Sequence, residues 1–193
     1  MAPINPFAAI SLATCLPLFC GCTGRPQIAR EPASAVAELR GVQGRPIHGV
    51  LRFTQLGEST VRIEGKVDGL EPGRTYALHI HSERTCEPAK EPGEDFDPFE
   101  SRQHGPADAD PGSHHAGDLP SITAGASGSA AVGINTAKGL SLWPDVYSIA
   151  ERAVVLHAGP DDFLTQSHGG SGDRAACGLV MTPVTEKQPK QRQ

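Results

Sequence analysis

Alternation of apolar and polar residues runs through the central part of the chain, and no helical period is sustained there. In residues 60–68, Val61, Ile63 and Val67 alternate with charged residues. This period of two predicts a strand with one buried face, ending at the Asp68–Gly69 turn. Similar patterns predict further strands at 46–56, 74–81, 120–124, 128–134, 147–157 and 177–184.

Short strands in a chain with 22 glycines and 17 prolines predict an all-β fold. We expect an antiparallel Greek-key β-barrel or sandwich, immunoglobulin-like in type. Two long loops, 82–119 and 158–176, separate the predicted strands. Loops of that length inside a compact domain are usually functional or disordered, so functional residues are expected there.

The sequence His79-Ile80-His81 lies in the predicted strand 74–81. Because side chains alternate along a strand, both histidines share the face opposite Tyr76, Leu78 and Ile80. Two imidazoles on one side of a rigid strand form a preorganised chelate for a metal ion. The alternative is an ordinary exposed strand face.

The loop segment 114–118 contains adjacent histidines followed by Asp118. A loop folded back on itself can bring His104, His115 and Asp118 around one ion, a donor set that suits zinc. His114 is adjacent to a proposed ligand and can exchange with His115. The alternative is a solvated polar loop.

His157 ends the apolar run 153–156. A lone histidine in this position is compatible with a core or strand-end residue as well as with a ligand. The neighbouring Asp161 and Asp162 can accept hydrogen bonds from the outer ring nitrogens of ligand histidines, which fixes their tautomer and orientation. This favours a metal site.

Together these residues resemble the Cu,Zn superoxide dismutase family over roughly residues 47 to 184. The matching stretches, in chain order, are 78–81, 96–98, 104–105, 115–120, 154–162 and 172–178. The resemblance implies copper and zinc as cofactors and superoxide as substrate. It also implies specific roles, which are copper ligands His79, His81 and His157, zinc ligands His104, His115 and Asp118, a channel-lining anion guide at Arg174, a link between the ligand groups at Asp161, and a disulfide between Cys86 and Cys177.

The sequence departs from the family pattern at Asp95. The family has a histidine before its Phe-Asn/Asp-Pro turn, and this imidazolate bridges the two metals, whereas here the stretch is Asp95-Phe96-Asp97-Pro98. Only a shifted loop bringing in His104 or His114 would restore that bridge. Asp95 can still ligate zinc through one oxygen, or bridge weakly as a carboxylate. Because a carboxylate is a weaker base than an imidazolate, we expect reduced activity.

Net charge is −5, from 22 acidic and 17 basic residues. Attraction of an anionic substrate must therefore come from a local positive patch, for which Arg174 is the candidate; the alternative is a solvated loop charge. The acidic chain has 5% aromatic residues and no basic stripe, which argues against nucleic-acid binding.

The N-terminus is typical of export. Residues 7–19 are largely apolar and too short for a comfortable membrane span, which predicts a signal peptide over 1–22. Gly21-Cys22 resembles a bacterial lipoprotein processing site, making Cys22 a candidate for lipidation and membrane anchoring. A Cys86–Cys177 bond would need an oxidising compartment such as the periplasm or cell envelope; the alternative is a pair of free thiols.

The remaining chain is expected to contain one domain. Residues 23–45 are predicted to be a flexible linker, 46–185 the dismutase-like domain and 186–193 a disordered tail. His48 and His168 are expected to be solvated. A homodimer is left open, since exposed barrel faces can pair or remain separate.

Three functions are compatible with these features. The first is an exported superoxide dismutase that protects the cell envelope. The second is a non-catalytic copper- or zinc-binding relative, a metal buffer or structural protein, favoured by Asp95. The third is a β-sandwich interaction module. His157 and Arg174 favour the first, because neither of the others needs a substrate channel.

Overall fold

The computed structural model describes residues 33–100, 103–110, 112–166 and 169–182, and within them the regular structure is entirely β. Eight strands form one antiparallel, nearly closed Greek-key barrel in the order β5-β4-β7-β8-β1-β2-β3-β6. This confirms the predicted fold class. The strands are β1 Ser34–Gly41, β2 His48–Gly57, β3 Thr60–Asp68, β4 Thr75–Ile80, β5 Asp118–Thr123, β6 Ala130–Lys138, β7 Ala153–His157 and β8 Arg174–Leu179.

The barrel interior is filled by the inward faces of these strands. Leu51, Phe53 and Ile63 are fully buried there, and so are Leu78 and Leu156 from the strands that also carry histidines. Alternation places the apolar residues of β4 in the core and leaves its other face for polar groups.

Strand β1 lies in the segment 23–45, for which the sequence predicted a flexible linker. It pairs with β2 and briefly with β8. Its inward residues Ala35 and Ala37 are small and have low strand propensity, so its alternation is faint in the sequence. Pairing with β2 and β8 stabilises β1, although its own residues favour a strand only weakly.

Strand β7 is shorter than the predicted 147–157. The chain turns before it, where Ile149 N donates to Ser141 O at 2.8 Å. Glu151 has φ of 65°, which an extended strand does not allow. Only Ala153–His157 therefore joins the sheet.

The predicted long loops are present between β4 and β5 and between β7 and β8. A disulfide between Cys86 and Cys177 fastens the first loop to β8, as the resemblance implied. The predicted signal peptide, Cys22 and the tail from residue 186 lie outside the described residues. Within those residues, no helix is long and apolar enough to cross a membrane.

Candidate metal centre

Strand β4 organises the centre, because its two neighbours bring donors to the face that carries His79. On one side, Asp118 of β5 pairs directly with His79. On the other side, Val155 of β7 pairs with His79, and His157 lies two residues further along the same face. Strand register therefore collects three donors that are far apart in sequence.

The long loop after β4 is held against that strand by backbone hydrogen bonds. His81 and Asp95 form an isolated antiparallel bridge. Phe96 N donates to Ile80 O at 2.7 Å, and Gly117 N donates to Phe96 O at 2.8 Å. These bonds fix Asp95 beside the end of β4.

Among the described residues, two groups of buried donors share no member, and in each group the donor atoms lie within 4.8 Å of one another. We call His79, His81 and His157 the three-histidine set. We call Asp95, His104, His115 and Asp118 the mixed set. All seven side chains are buried.

Backbone carbonyls orient two rings of the three-histidine set. His81 Nδ1 donates to Gly93 O at 2.7 Å, and His157 Nδ1 donates to Gly172 O at 3.0 Å. Each bond leaves Nε2 as the lone-pair nitrogen, and the two Nε2 atoms are 3.2 Å apart. A cation between these two nitrogens, whether a proton or a metal ion, removes the repulsion between their lone pairs.

Burial keeps the His157 ring uncharged. Burial lowers its pKa, and repulsion from His79 lowers it further, to about 4. At neutral pH this nitrogen is therefore available to a metal without competition from a proton.

Asp161 connects the two sets. Its Oδ2 accepts from His79 Nε2 at 2.9 Å and from His104 Nε2 at 2.7 Å. Both rings then direct Nδ1 inward, and His79 Nδ1 is buried without a hydrogen-bond partner among the described residues. Burial alone would raise the pKa of Asp161, but the bonds from His104 and His79 outweigh it and lower the pKa.

The mixed set is rich in negative charge. His104 Nδ1 is 3.0 Å from Asp118 Oδ1 and 3.3 Å from Asp95 Oδ2. Burial alone would lower the pKa of His104, yet its contacts with Asp118, Asp161 and Asp95 raise the pKa to about 11. The pKa of His115 is also raised, because Asp118 outweighs burial. The set thus favours positive charge.

A cleft of about 400 Å³ opens onto the three-histidine set, and its lining includes His81, His157 and Arg174. The Arg174 guanidinium donates to Pro88 O and Lys90 O, both at 3.1 Å. These contacts place a positive charge on the rim of the opening.

Residues 47–180 match the family described as copper/zinc superoxide dismutase, which is more than half of the chain. The chain belongs to the copper/zinc superoxide dismutase family. Members of this family bind copper and zinc, and the donor types of the two sets agree with that.

Relatives include both enzymes and copper chaperones. The chain is 39% identical over 141 residues to superoxide dismutase [Cu-Zn] 3 of Arabidopsis thaliana, covering 69% of this chain and 82% of that protein. It is 37% identical over 157 residues to the copper chaperone for superoxide dismutase of Mus musculus, covering 76% of this chain. The match spans 52% of the chaperone's length.

Two solved structures share the fold. The clock protein EA4 has a TM-score of 0.67 at 27% identity, covering 78% of this chain and 94% of that one. A double mutant of a SOD-like protein from Bacillus subtilis has a TM-score of 0.65 at 30% identity, covering 76% and 96%.

The donor spacings fit the metals of this family. Four donors held tetrahedrally around one ion, each about 2.1 Å from it, lie about 3.4 Å from one another. In the mixed set, His115 Nδ1 and Asp118 Oδ1 are 3.3 Å apart. In the three-histidine set, the Nε2 atoms of His81 and His157 are 3.2 Å apart. Imidazole donors suit copper, and imidazole with carboxylate suits zinc.

Some predicted residues lie outside both sets. His114 is buried, but its Nδ1 donates to His115 O at 2.6 Å, and it belongs to neither set. His48 is exposed, as expected, and His168 lies outside the described residues. Asp162 accepts hydrogen bonds from Leu164 N and Thr165 N within its own loop and, among the residues that the structure describes, from no ligand ring.

Two contacts that position the ligand residues were not predicted from the sequence. Gln166 Oε1 accepts from His104 N at 2.7 Å, tying the second long loop to the mixed set. Arg152 stacks on Phe96, with its guanidinium carbon 4.2 Å from the ring centroid, next to Asp95. No local pattern marks these contacts, which depend on tertiary structure.

Proposed function

We propose that this chain is an exported superoxide dismutase that converts superoxide into oxygen and hydrogen peroxide through a Cu(II)/Cu(I) cycle. The observation that supports this most is the three-histidine set at the foot of a cleft that has Arg174 on its rim. A metal store needs tight binding but gains nothing from an opening with a positive charge.

In this proposal the three-histidine set holds copper, and His104, His115 and Asp118 hold zinc with help from Asp95. Copper, when bound, supplies the one-electron redox chemistry that the reaction needs. Asp161 and the carbonyls of Gly93 and Gly172 orient the copper-binding rings.

Arg174 is proposed to attract the anion. The chain carries a net charge of −5, so attraction of superoxide depends on positive charge near the opening. Because its guanidinium is held by two carbonyls, the charge stays at the rim instead of folding into the cleft.

Export to the periplasm or cell envelope is supported by the disulfide. A bond between Cys86 and Cys177 persists in oxidising compartments. The apolar segment before Cys22 is consistent with a signal peptide, with or without lipid attached to Cys22. Homodimerisation through an exposed barrel face is part of the same proposal.

A second candidate is a non-catalytic copper- or zinc-binding relative, a metal buffer or a structural envelope protein. The similarity to the copper chaperone of Mus musculus favours it. Asp95 also favours it, because a carboxylate is a poor source of the proton that peroxide formation requires.

A superoxide-consumption assay on protein loaded with copper and zinc separates the two candidates. We expect consumption well above that of the metal-free protein, with Arg174→Gln lowering the rate several-fold and weakening its dependence on ionic strength. Arg84→Gln is the matched control, since Arg84 is exposed and pairs with Glu151. A loaded protein that consumes no superoxide would favour the buffer.

A further inference from the structure

We propose that the Asp95 carboxylate binds both metals at once, with Oδ1 directed to the copper of the three-histidine set and Oδ2 to the zinc of the mixed set. This inference rests on the proposed function, because it requires that both sets hold metal. It assigns one residue to two ions that would otherwise be linked only through Asp161.

The first observation is that the backbone leaves Asp95 little freedom. Ser82 N donates to Glu94 O at 2.8 Å, and Phe96 N donates to Ile80 O at 2.7 Å, so both neighbours of Asp95 are bonded to the end of β4. The Asp95 side chain is completely buried. Its position is therefore set by the sheet and not by a mobile loop.

The second observation is that the two oxygens face different sets. Oδ1 is 3.5 Å from His79 Nδ1 and 3.4 Å from His81 Nε2. Oδ2 is 3.3 Å from His104 Nδ1 and 3.9 Å from His115 Nδ1. Zinc binding alone does not require the second oxygen of the carboxylate to face the copper-binding nitrogens, as Oδ1 does here.

The third observation is the character of the atoms around Oδ1. His79 donates a hydrogen bond from Nε2 to Asp161, and His81 donates one from Nδ1 to Gly93 O. In the neutral rings the nitrogens that face Oδ1 are then the lone-pair atoms, and they converge with a carboxylate oxygen on one small region. A metal ion placed among these three atoms would be coordinated by all of them.

The spacings also agree with shared ligation. Each of the four distances from the Asp95 oxygens to the facing nitrogens is between 3.3 and 3.9 Å. Donors that share one ion at about 2.1 Å are separated by about 3.4 Å in a tetrahedral arrangement. Each oxygen can therefore complete one set without moving the other oxygen out of its own set.

Metal affinities measured separately for copper and zinc test the bridge. In Asp95→Ala we expect the affinities for both metals to fall by about tenfold or more. The matched control is Asp118→Ala, because Asp118 Oδ1 contacts the mixed-set rings of His104 and His115, so zinc affinity should fall while copper affinity changes little. If Asp95→Ala weakened zinc alone or copper alone, the bridge would be overturned.

A spectroscopic measurement adds a readout independent of affinity. With Cu(II) in the three-histidine set and Co(II) replacing zinc, a shared carboxylate couples the two spins, so cobalt should reduce the copper EPR intensity more in the wild type than in Asp95→Ala. Equal reduction in both proteins would mean interaction through space only and would contradict the proposal.

The design separates the possible failures. If wild-type protein does not bind one copper and one zinc, the proposed function fails before the bridge is tested. If it binds both but the two Asp95 tests are negative, only the bridge fails. Should Asp95→Ala not fold, judged by thermal melting of the metal-free protein, the nearly isosteric Asp95→Asn replaces it with the same expected direction for both metals.

Discussion

The three-histidine set and the mixed set are built differently although they lie side by side. The first lies on strands β4 and β7 and at the end of β4, its donors are all imidazoles, and the pKa of His157 is lowered to about 4. The second comes mostly from the long loop after β4 and is rich in carboxylates, and the pKa of His104 is raised to about 11. At neutral pH His157 of the strand-built set carries no proton on its ligating nitrogen, whereas His104 of the loop-built set must first release a proton before it binds metal.

The largest effect is expected when one ligand of the three-histidine set is removed. His157→Ala removes one of three imidazoles, and we expect copper affinity and superoxide consumption to fall by more than about 100-fold, since loss of groups that merely orient ligands already costs 10–100-fold. Zinc affinity should change little. Copper titration with a competing chelator measures the first effect, and a comparable loss of both metals would show that the two sets are not separate.

A pH series sharpens the contrast between the halves. The raised pKa of His104 means that zinc must displace a proton throughout pH 6–8, so zinc affinity should rise about tenfold per pH unit there. The lowered pKa of His157 means that copper displaces no proton from this ring in that range. Isothermal titration in buffers of different protonation enthalpy counts the protons released, and zinc uptake without proton release would contradict this account.

The same two rings predict opposite trends in the stability of the metal-free protein. His104 has a pKa raised from 6.5, so its proton stabilises the fold below about pH 6.5, and that contribution is lost as pH rises toward 11. His157 has a lowered pKa, so its contribution is present above pH 6.5 and is lost as pH falls toward 4. Urea unfolding of His104→Gln and His157→Gln across pH separates the two.

Replacing Asp161, which accepts a hydrogen bond from one ring of each set, should lower the metal affinity of both sets. In Asp161→Asn the charged acceptor for His79 Nε2 and His104 Nε2 is lost, and we expect about 10–100-fold weaker binding of each metal. Asp162→Asn is the matched control, because this neighbouring carboxylate is exposed and, within the described part of the chain, its hydrogen bonds stay in its own loop. Equal effects from the two variants would argue against a specific role for Asp161.

The smallest effect is expected when Asp95, which lies between the two sets, is replaced by a stronger base. Asp95→His places an imidazole, a stronger base than a carboxylate, between the sets, and we expect the rate of superoxide consumption to rise by about tenfold. The rate per bound copper is the quantity to compare, so that altered occupancy does not mimic faster turnover. An unchanged rate would show that Asp95 does not limit catalysis.

The three-histidine set was largely predictable, because the shared face of His79 and His81 follows from alternation within one short segment of the sequence. Alternation in β4 places His79 and His81 on the face opposite the core, and the structure confirms this face. The all-β class followed from the same period. The pairing of Cys86 with Cys177 was implied by family resemblance and is present.

The geometry of the loop-built half was not predictable from local patterns. The residue types of His104, His115 and Asp118 suggested zinc, but the cross-strand pair of Asp118 with His79 is a matter of register between distant segments. The direction of each Asp95 oxygen depends on how the loop returns to β4. No local pattern predicts a role for Gln166, because its contact with His104 forms only when two loops that are distant in sequence come together.

The most direct test of the account is the EPR spectrum of wild-type protein loaded with one equivalent of Cu(II), compared with that of His157→Ala. We predict a single cupric signal with hyperfine structure from nitrogen donors in the wild type, and its loss or marked change in the variant. A wild-type spectrum dominated by oxygen donors, or one that His157→Ala leaves unaltered, would contradict copper binding by the three-histidine set.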